Sequence, residues 1–153
     1  MLATRGGPGE PDSHDPVEKE SSAVQAVAIF FPVTDLLNLG ASTENLGDGG
    51  PPKRFRRAFG PEGTNLAGWK VMGRETSPIY HITTNLPPVL IYHGHADTLT
   101  PLEQSAWFQE KARAAGRPVK IVVRRNAKHG WLPMVFDLRK FADWFDHHLC
   151  AAR

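Results

Sequence analysis

From Val24 to Phe31 the chain reads Val-Gln-Ala-Val-Ala-Ile-Phe-Phe, almost unbroken in apolar, β-prone residues, and Pro32 stops it. A run with so little polar character has no side to give to water. It predicts a strand buried on both faces, the kind found in parallel sheets covered by helices. Two shorter runs follow: Val89–Gly94, led in by Pro87-Pro88, and Val119–Val123. Between them Thr100 suits a helix N-cap, Pro101 the first helical position, Glu103 completes a capping box, and Gly116 supplies the stop. After the third run, Met134, Leu138, Phe141, Phe145 and Leu149 recur three or four residues apart, which predicts a last helix with one apolar stripe. Strands joined through helices run parallel, so this order predicts α/β architecture with right-handed crossovers.

The remainder is organised around these elements. Met1–Thr4 reads as the end of a helix, and Thr4–Ser22, rich in Gly, Pro, Asp, Glu and Ser, as a surface loop. The stretch from Asp35 to Ser77 is Gly-rich and irregular, with helical candidates at Lys53–Phe59 and Asn65–Met72 separated by Gly60-Pro61. It reads as a lid inserted at about 36–77. The division is therefore 1–22 as helix tail and loop, and 23–150 as one partial α/β domain.

At 153 residues, with 41% hydrophobic and 22% charged side chains, one modest core is expected. A net charge of +2, with one short basic run at Lys53-Arg54-Phe55-Arg56-Arg57, leaves no nucleic-acid footprint. That run is expected to be a surface helix with Phe55 and Phe59 turned to the core. The single cysteine, Cys150, excludes an internal disulfide and a Cys-based zinc site. No apolar run approaches the ~18 residues of a membrane span, and Met1–Glu10 lacks the order of a signal peptide, so no membrane partner is expected and the chain reads as soluble.

In open parallel sheets, functional groups gather in loops beyond the carboxyl ends of the strands. Asp35, Asp97 and His129 follow the first, second and third runs. An acid after one strand and a histidine after the next matches the later two members of the order Ser, Asp or Glu, His. Each has another reading. Asp97 can cap its loop, Asp35 can be the rival acid or cap a turn, and His129 can be an ordinary loop histidine. His147 and His148 are expected to sit at the negative end of the last helix or in solvent.

The segments Ser77-Pro78-Ile79-Tyr80-His81, Pro87-Pro88-Val89-Leu90-Ile91-Tyr92-His93-Gly94-His95-Ala96-Asp97, Pro101-Leu102-Glu103-Gln104-Ser105 and Ala127-Lys128-His129-Gly130-Trp131 resemble the C-terminal part of the prolyl oligopeptidase-like and esterase-like α/β-hydrolases. The resemblance runs from about Ala23 to Leu149. It implies the last three parallel strands of that fold with flanking helices and a lid insertion. It also implies that Asp97 orients the imidazole while His129 moves the proton of a serine, in hydrolysis of an ester or peptide bond without a cofactor. His95 and Thr100 stand where such proteins often carry an acid and Val.

No G-x-S-x-G elbow occurs; Gly40-Ala41-Ser42-Thr43-Glu44 lacks the last glycine and follows a loop. The expectation is a chain that begins just after its serine, inactive alone, with an unpaired apolar edge at its first strand that depends on a complementing N-terminal half. The alternative is a non-catalytic binding module or a subunit that completes a site in trans. A third reading takes His93-Gly94-His95-Ala96-Asp97 as the H-x-H-x-D metal signature of the metallo-β-lactamase fold, but Thr98 stands where that fold needs a further histidine.

Overall fold

A computed structural model describes residues 1–150. Strands β1 (Val27–Phe30), β2 (Val89–Gly94) and β3 (Val119–Arg124) form one parallel sheet in the order β1-β2-β3. Val27 lies opposite Val89, and Val89 opposite Val119. The helices are α1 (Leu2–Arg5), α2 (Gly60–Thr64), α3 (Leu66–Thr76), α4 (Glu103–Ala114) and α5 (Met134–Phe145), with 3-10 turns at Arg56–Phe59 and Pro78–His81 and a wide terminal turn at Asp146–Cys150. None is long and apolar enough to cross a membrane.

β2 is the centre of the sheet, and all six of its residues are buried. Successive side chains of a strand point to opposite faces. Val89 and Ile91 pack with Phe108 and Ala112 of α4, Val119 of β3 and Ile79 and Leu86 of the connecting segment. On the other face Tyr92 meets Phe141 of α5 edge-on, and Phe30 of β1 stacks on Phe141 with centroids 4.5 Å apart. Each face therefore has its own helix, which is why the strand sequences show no polar alternation.

The first strand departs from expectation. β1 is shorter than the run that predicts it and is not buried on both faces, since Ile29 is 39% exposed. It pairs with β2 along one side only; among the described residues no strand occupies its other edge. The final helix also differs. Phe141 and Phe145 are half-buried, but Leu138 and Leu149 are exposed, and the inward positions include Asp137 and Trp144. Asp137 faces inward because Trp131 Nε1 donates to its Oδ2 at 2.7 Å and the Arg124 guanidinium pairs with it.

Thr100 does not cap α4. The helix starts at Glu103 after Leu102, with no side-chain cap, because both backbone polar groups of Thr100 are engaged in the loop before it. Gly116 is the stop, with φ of 72°. Phe55, expected inward, is 59% exposed, because the chain becomes helical only at Arg56, whose guanidinium is held by Asp48. Phe59 packs on the fully buried Trp69 of α3, a helix that Asn65 caps by accepting from Ala67 N.

Gln104 ties α4 to the loop after β1. Its Oε1 accepts from Thr34 N and Asp35 N, and its Nε2 donates to Asp35 O and Asn38 O. At the end of β2, Gly94 lets the next loop close over the sheet. A Cβ there would lie 2.3 Å from Lys128 O and 2.5 Å from Ala127 O, both backbone atoms. Replacing Gly94 with Ala is therefore expected to cost roughly 1–3 kcal/mol and to displace the loop that carries His129, read as a lower urea midpoint and altered amide shifts at Ala127–Gly130.

Candidate active site

The site forms where the loops after β2 and β3 meet. Ala96 N donates to Ala127 O and His95 N to Arg124 O, which joins the two loops through backbone alone. Within this frame His129 Nδ1–H donates to Asp97 Oδ2 at 2.8 Å. The Asp97 side chain is fully buried while that of His129 is 35% exposed. Asp97 Oδ1 accepts from Leu99 N and Thr100 N, both at 2.9 Å. Asp97 thus caps its loop through Oδ1 and is bonded to the His129 ring through Oδ2.

A carboxylate supplied with two backbone N–H bonds cannot rotate away from its partner without losing them. It selects the tautomer of His129 with hydrogen on Nδ1, which leaves the Nε2 lone pair available. Nε2 makes no hydrogen bond among the described residues. The ring lies against Phe31, centroids 4.2 Å apart. Phe31 has φ of 31°, outside the ordinary range for a side-chain-bearing residue, and such backbone conformations cost of order 1–3 kcal/mol. Gly130, at φ of 100°, turns the chain after the histidine, and the Trp131–Asp137–Arg124 cluster fastens that turn to α5.

His129 borders a cavity of about 400 Å³ lined by Phe31, Leu36, Leu39, Phe55, Phe59 and Leu99 among others. The long connection between β1 and β2 forms much of its wall and is bonded to the acid loop: Thr43 N donates to Thr98 O, and Ser42 Oγ to Leu99 O. Ser42 is the only serine lining this cavity, and its hydroxyl is engaged with that carbonyl and with Glu44 N. It lies among turns, so Gly40–Glu44 has none of the strand-to-helix geometry of a nucleophile elbow.

Asp35 stands apart from the pair. Its Oδ1 accepts from Leu37 N and Asn38 N and its carboxylate takes the Tyr80 hydroxyl, so it caps the turn after β1. Burial, followed by the Asp35 charge, pushes the Tyr80 phenol above its ordinary range. His93 is wholly buried. Its Nε2 lies 2.7 Å from Thr100 O and its Nδ1 2.7 Å from Ser105 Oγ. With both nitrogens engaged it has no lone pair for a metal, His95 is exposed, and among the described residues no group of three His, Cys, Asp or Glu is arranged to hold one. His147 is exposed, but His148 is half-buried with its ring on Trp144.

The BD-FAE family model matches residues 9–112 of this chain. The chain belongs to the BD-FAE family. The match includes Asp97 and ends before His129. Esterase LipC of Mycobacterium tuberculosis (strain ATCC 25618 / H37Rv) is 46% identical over 59 residues, 38% of this chain and 15% of LipC. The acetyl ester-xyloside bifunctional hydrolase of Caldicellulosiruptor lactoaceticus superposes with a TM-score of 0.68 at 20% identity, over 95% of this chain and 50% of its own. The apo form of Thermogutta terrifontis esterase 2 superposes with a TM-score of 0.62 at 27% identity, again over 95% and 50%. The chain thus spans about half the length of these solved structures. The fold is that of the α/β-hydrolases, and the family is one of esterases and related hydrolases.

Sequence patterns placed Asp97 and His129 in adjacent loops but gave no sign of Phe31 beneath the imidazole, of the Gln104 clamp or of the inward Asp137. Gln104 and Trp131 lay in segments that carry the resemblance, but nothing in those segments said what they bind. Burial holds His93 below the ordinary histidine value of 6.5, against the Thr100 carbonyl and the Asp97 charge, which act the other way. The folded chain then refuses a proton that the unfolded chain takes up, so this contribution to stability is present above pH 6.5 and is lost as pH falls below it. The urea midpoint is expected to drop as pH is lowered from about 7.5 to about 5.5, and to drop less steeply in a His93→Gln variant.

Proposed function

We propose that these residues supply the acid and the base of a Ser-His-Asp esterase, Asp97 and His129, with the nucleophilic serine carried on a segment outside the 153 residues. The observation that carries this is the Asp97–His129 bond of 2.8 Å, which leaves Nε2 free on a ring bordering an apolar cavity. In the reaction the serine hydroxyl attacks the ester carbonyl while His129 Nε2 takes its proton. The proton then passes to the departing alkoxide, leaving an acyl-serine and an alcohol. Water, deprotonated by the same nitrogen, then attacks the acyl carbonyl; the bond to the serine oxygen breaks, that oxygen takes the proton back from His129, and the acid leaves. Asp97 holds the ring in place and stabilises the imidazolium of each step.

An ester is favoured over a peptide as substrate. Esterase LipC and the two esterase-type hydrolases support that choice, whereas a puromycin-hydrolyzing peptidase of Mycobacterium tuberculosis, at 22% identity and with 18% of its chain covered, gives the peptide-bond reading weaker support. The open edge of β1 is the place for the half that carries the serine, whether in the same polypeptide or in a second one.

The test is labelling with a fluorophosphonate probe and hydrolysis of a p-nitrophenyl ester, on residues 1–153 alone and behind an upstream G-x-S-x-G segment. The expected outcome is no labelling of the short chain and labelling of the longer one. His129→Ala or Asp97→Asn in the longer protein is expected to lower kcat on the order of 10³–10⁴-fold. A folded longer protein that neither labels nor turns over ester removes this reading and leaves the binding module.

A further inference from the structure

His93 takes no part in the chemistry proposed above, yet it is the only wholly buried histidine among the described residues and lies one turn of loop from the acid. The Thr100 carbonyl can only accept, so His93 Nε2 carries the ring proton and donates to it at 2.7 Å. Nδ1 is then the lone-pair side and accepts from the Ser105 hydroxyl of α4, also at 2.7 Å. The ring is thus a strut between the first turn of α4 and the end of the Asp97 loop.

That end is the one that matters for Asp97. Thr100 N donates to Asp97 Oδ1 while Thr100 O is held by His93. The peptide groups flanking Thr100 are pinned from both sides, and with them the carboxylate. His93 Nε2 lies 3.7 Å from Asp97 Oδ2, beyond hydrogen-bond reach, so it does not compete with His129 for that oxygen. The titratable groups facing His93 are Asp97 and His129. A protonated ring here would have both nitrogens as donors and would turn the Ser105 hydroxyl from donor to acceptor.

We propose that His93 is a positioning residue for the acid of the site: as a neutral strut from Ser105 to the Thr100 carbonyl, it orients Asp97 so that one oxygen is bound by backbone and the other is left for His129. This rests on the reading of Asp97 and His129 as an acid and base pair. The role belongs to Nε2, so it is not one of filling space. Gln can place its amide N–H near the Nε2 position and keep the Thr100 bond, whereas Asn is too short to reach it.

The test uses the 153-residue chain, labelled with ¹⁵N, and reads the histidine rings by NMR. In the unmodified chain His93 is expected as the neutral tautomer with hydrogen on Nε2 at about pH 7.5, and His129 is expected to show a hydrogen-bonded Nδ1–H. His93→Asn is expected to raise the exchange rate of the His129 Nδ1–H by about tenfold or more, the equivalent of one lost hydrogen bond, and His93→Gln to keep it near the original rate. A folded His93→Asn chain with the original rate overturns the proposal. If that variant does not fold, the tautomer decides: hydrogen on His93 Nδ1, or an imidazolium at that pH, overturns it without any substitution. A chain whose His93 has the expected tautomer but whose His129 shows no hydrogen-bonded Nδ1–H overturns the acid and base pair itself, and this inference with it.

Discussion

The site depends on a carboxylate that is completely buried yet fully provided for. Taking Asp97 out of water is unfavourable unless its oxygens find donors. Two backbone amides and one imidazole supply them. This requirement links three parts of the chain. The loop must curl back within three residues to present Leu99 N and Thr100 N, the loop after β3 must arrive over Gly94, and α4 must begin late enough to leave Thr100 outside it. The missing N-cap of α4 follows from the same requirement, because a Thr100 committed to Asp97 and His93 is not free to cap a helix.

Packing around the pair is uneven, and the unevenness is informative. Phe31 lies under the imidazole with positive φ, the strained conformation that lets its ring reach His129 while its N–H still extends the ladder to Tyr92 O. Local strain of this kind persists where surrounding structure over-determines it, here through β2 and the aromatic cluster of Phe30, Trp131 and Phe141. By contrast, Ile29, Val33, Val135 and Phe136 are exposed. Apolar surface in that amount, beside a strand with one unpaired edge, is what a sheet shows where further structure packs on it.

The long connection between β1 and β2 does more than cover the site. Its hydrogen bonds to Thr98 O and Leu99 O join it to the loop that carries the acid, and Trp69 and Phe59 give it a small core of its own. Gln104 closes the arrangement from below by serving four backbone groups of the loop after β1. The cavity wall and the loop that carries the acid therefore share a backbone, so changes in this connection reach the site through Thr98 and Leu99.

The order of strands and helices, the parallel sheet and the loops bearing Asp97 and His129 were legible in the sequence, because burial on both faces leaves an apolar run and a helix leaves a periodic stripe, both local signals. The pairing of Asp97 with His129 in preference to Asp35 was legible only as loop order and resemblance. What tertiary structure alone decided is where an atom's partners come from. Nothing near Thr100 says that its carbonyl belongs to His93, nothing near Asp137 says that Trp131 and Arg124 draw it inward, and nothing near Phe55 says that Arg56 is held by Asp48 so that the ring is left at the mouth of the cavity. Hydrogen bonds made by side chains to partners 6 to 13 residues away leave no periodic trace, and at these positions they outweigh the local propensities that sequence can report.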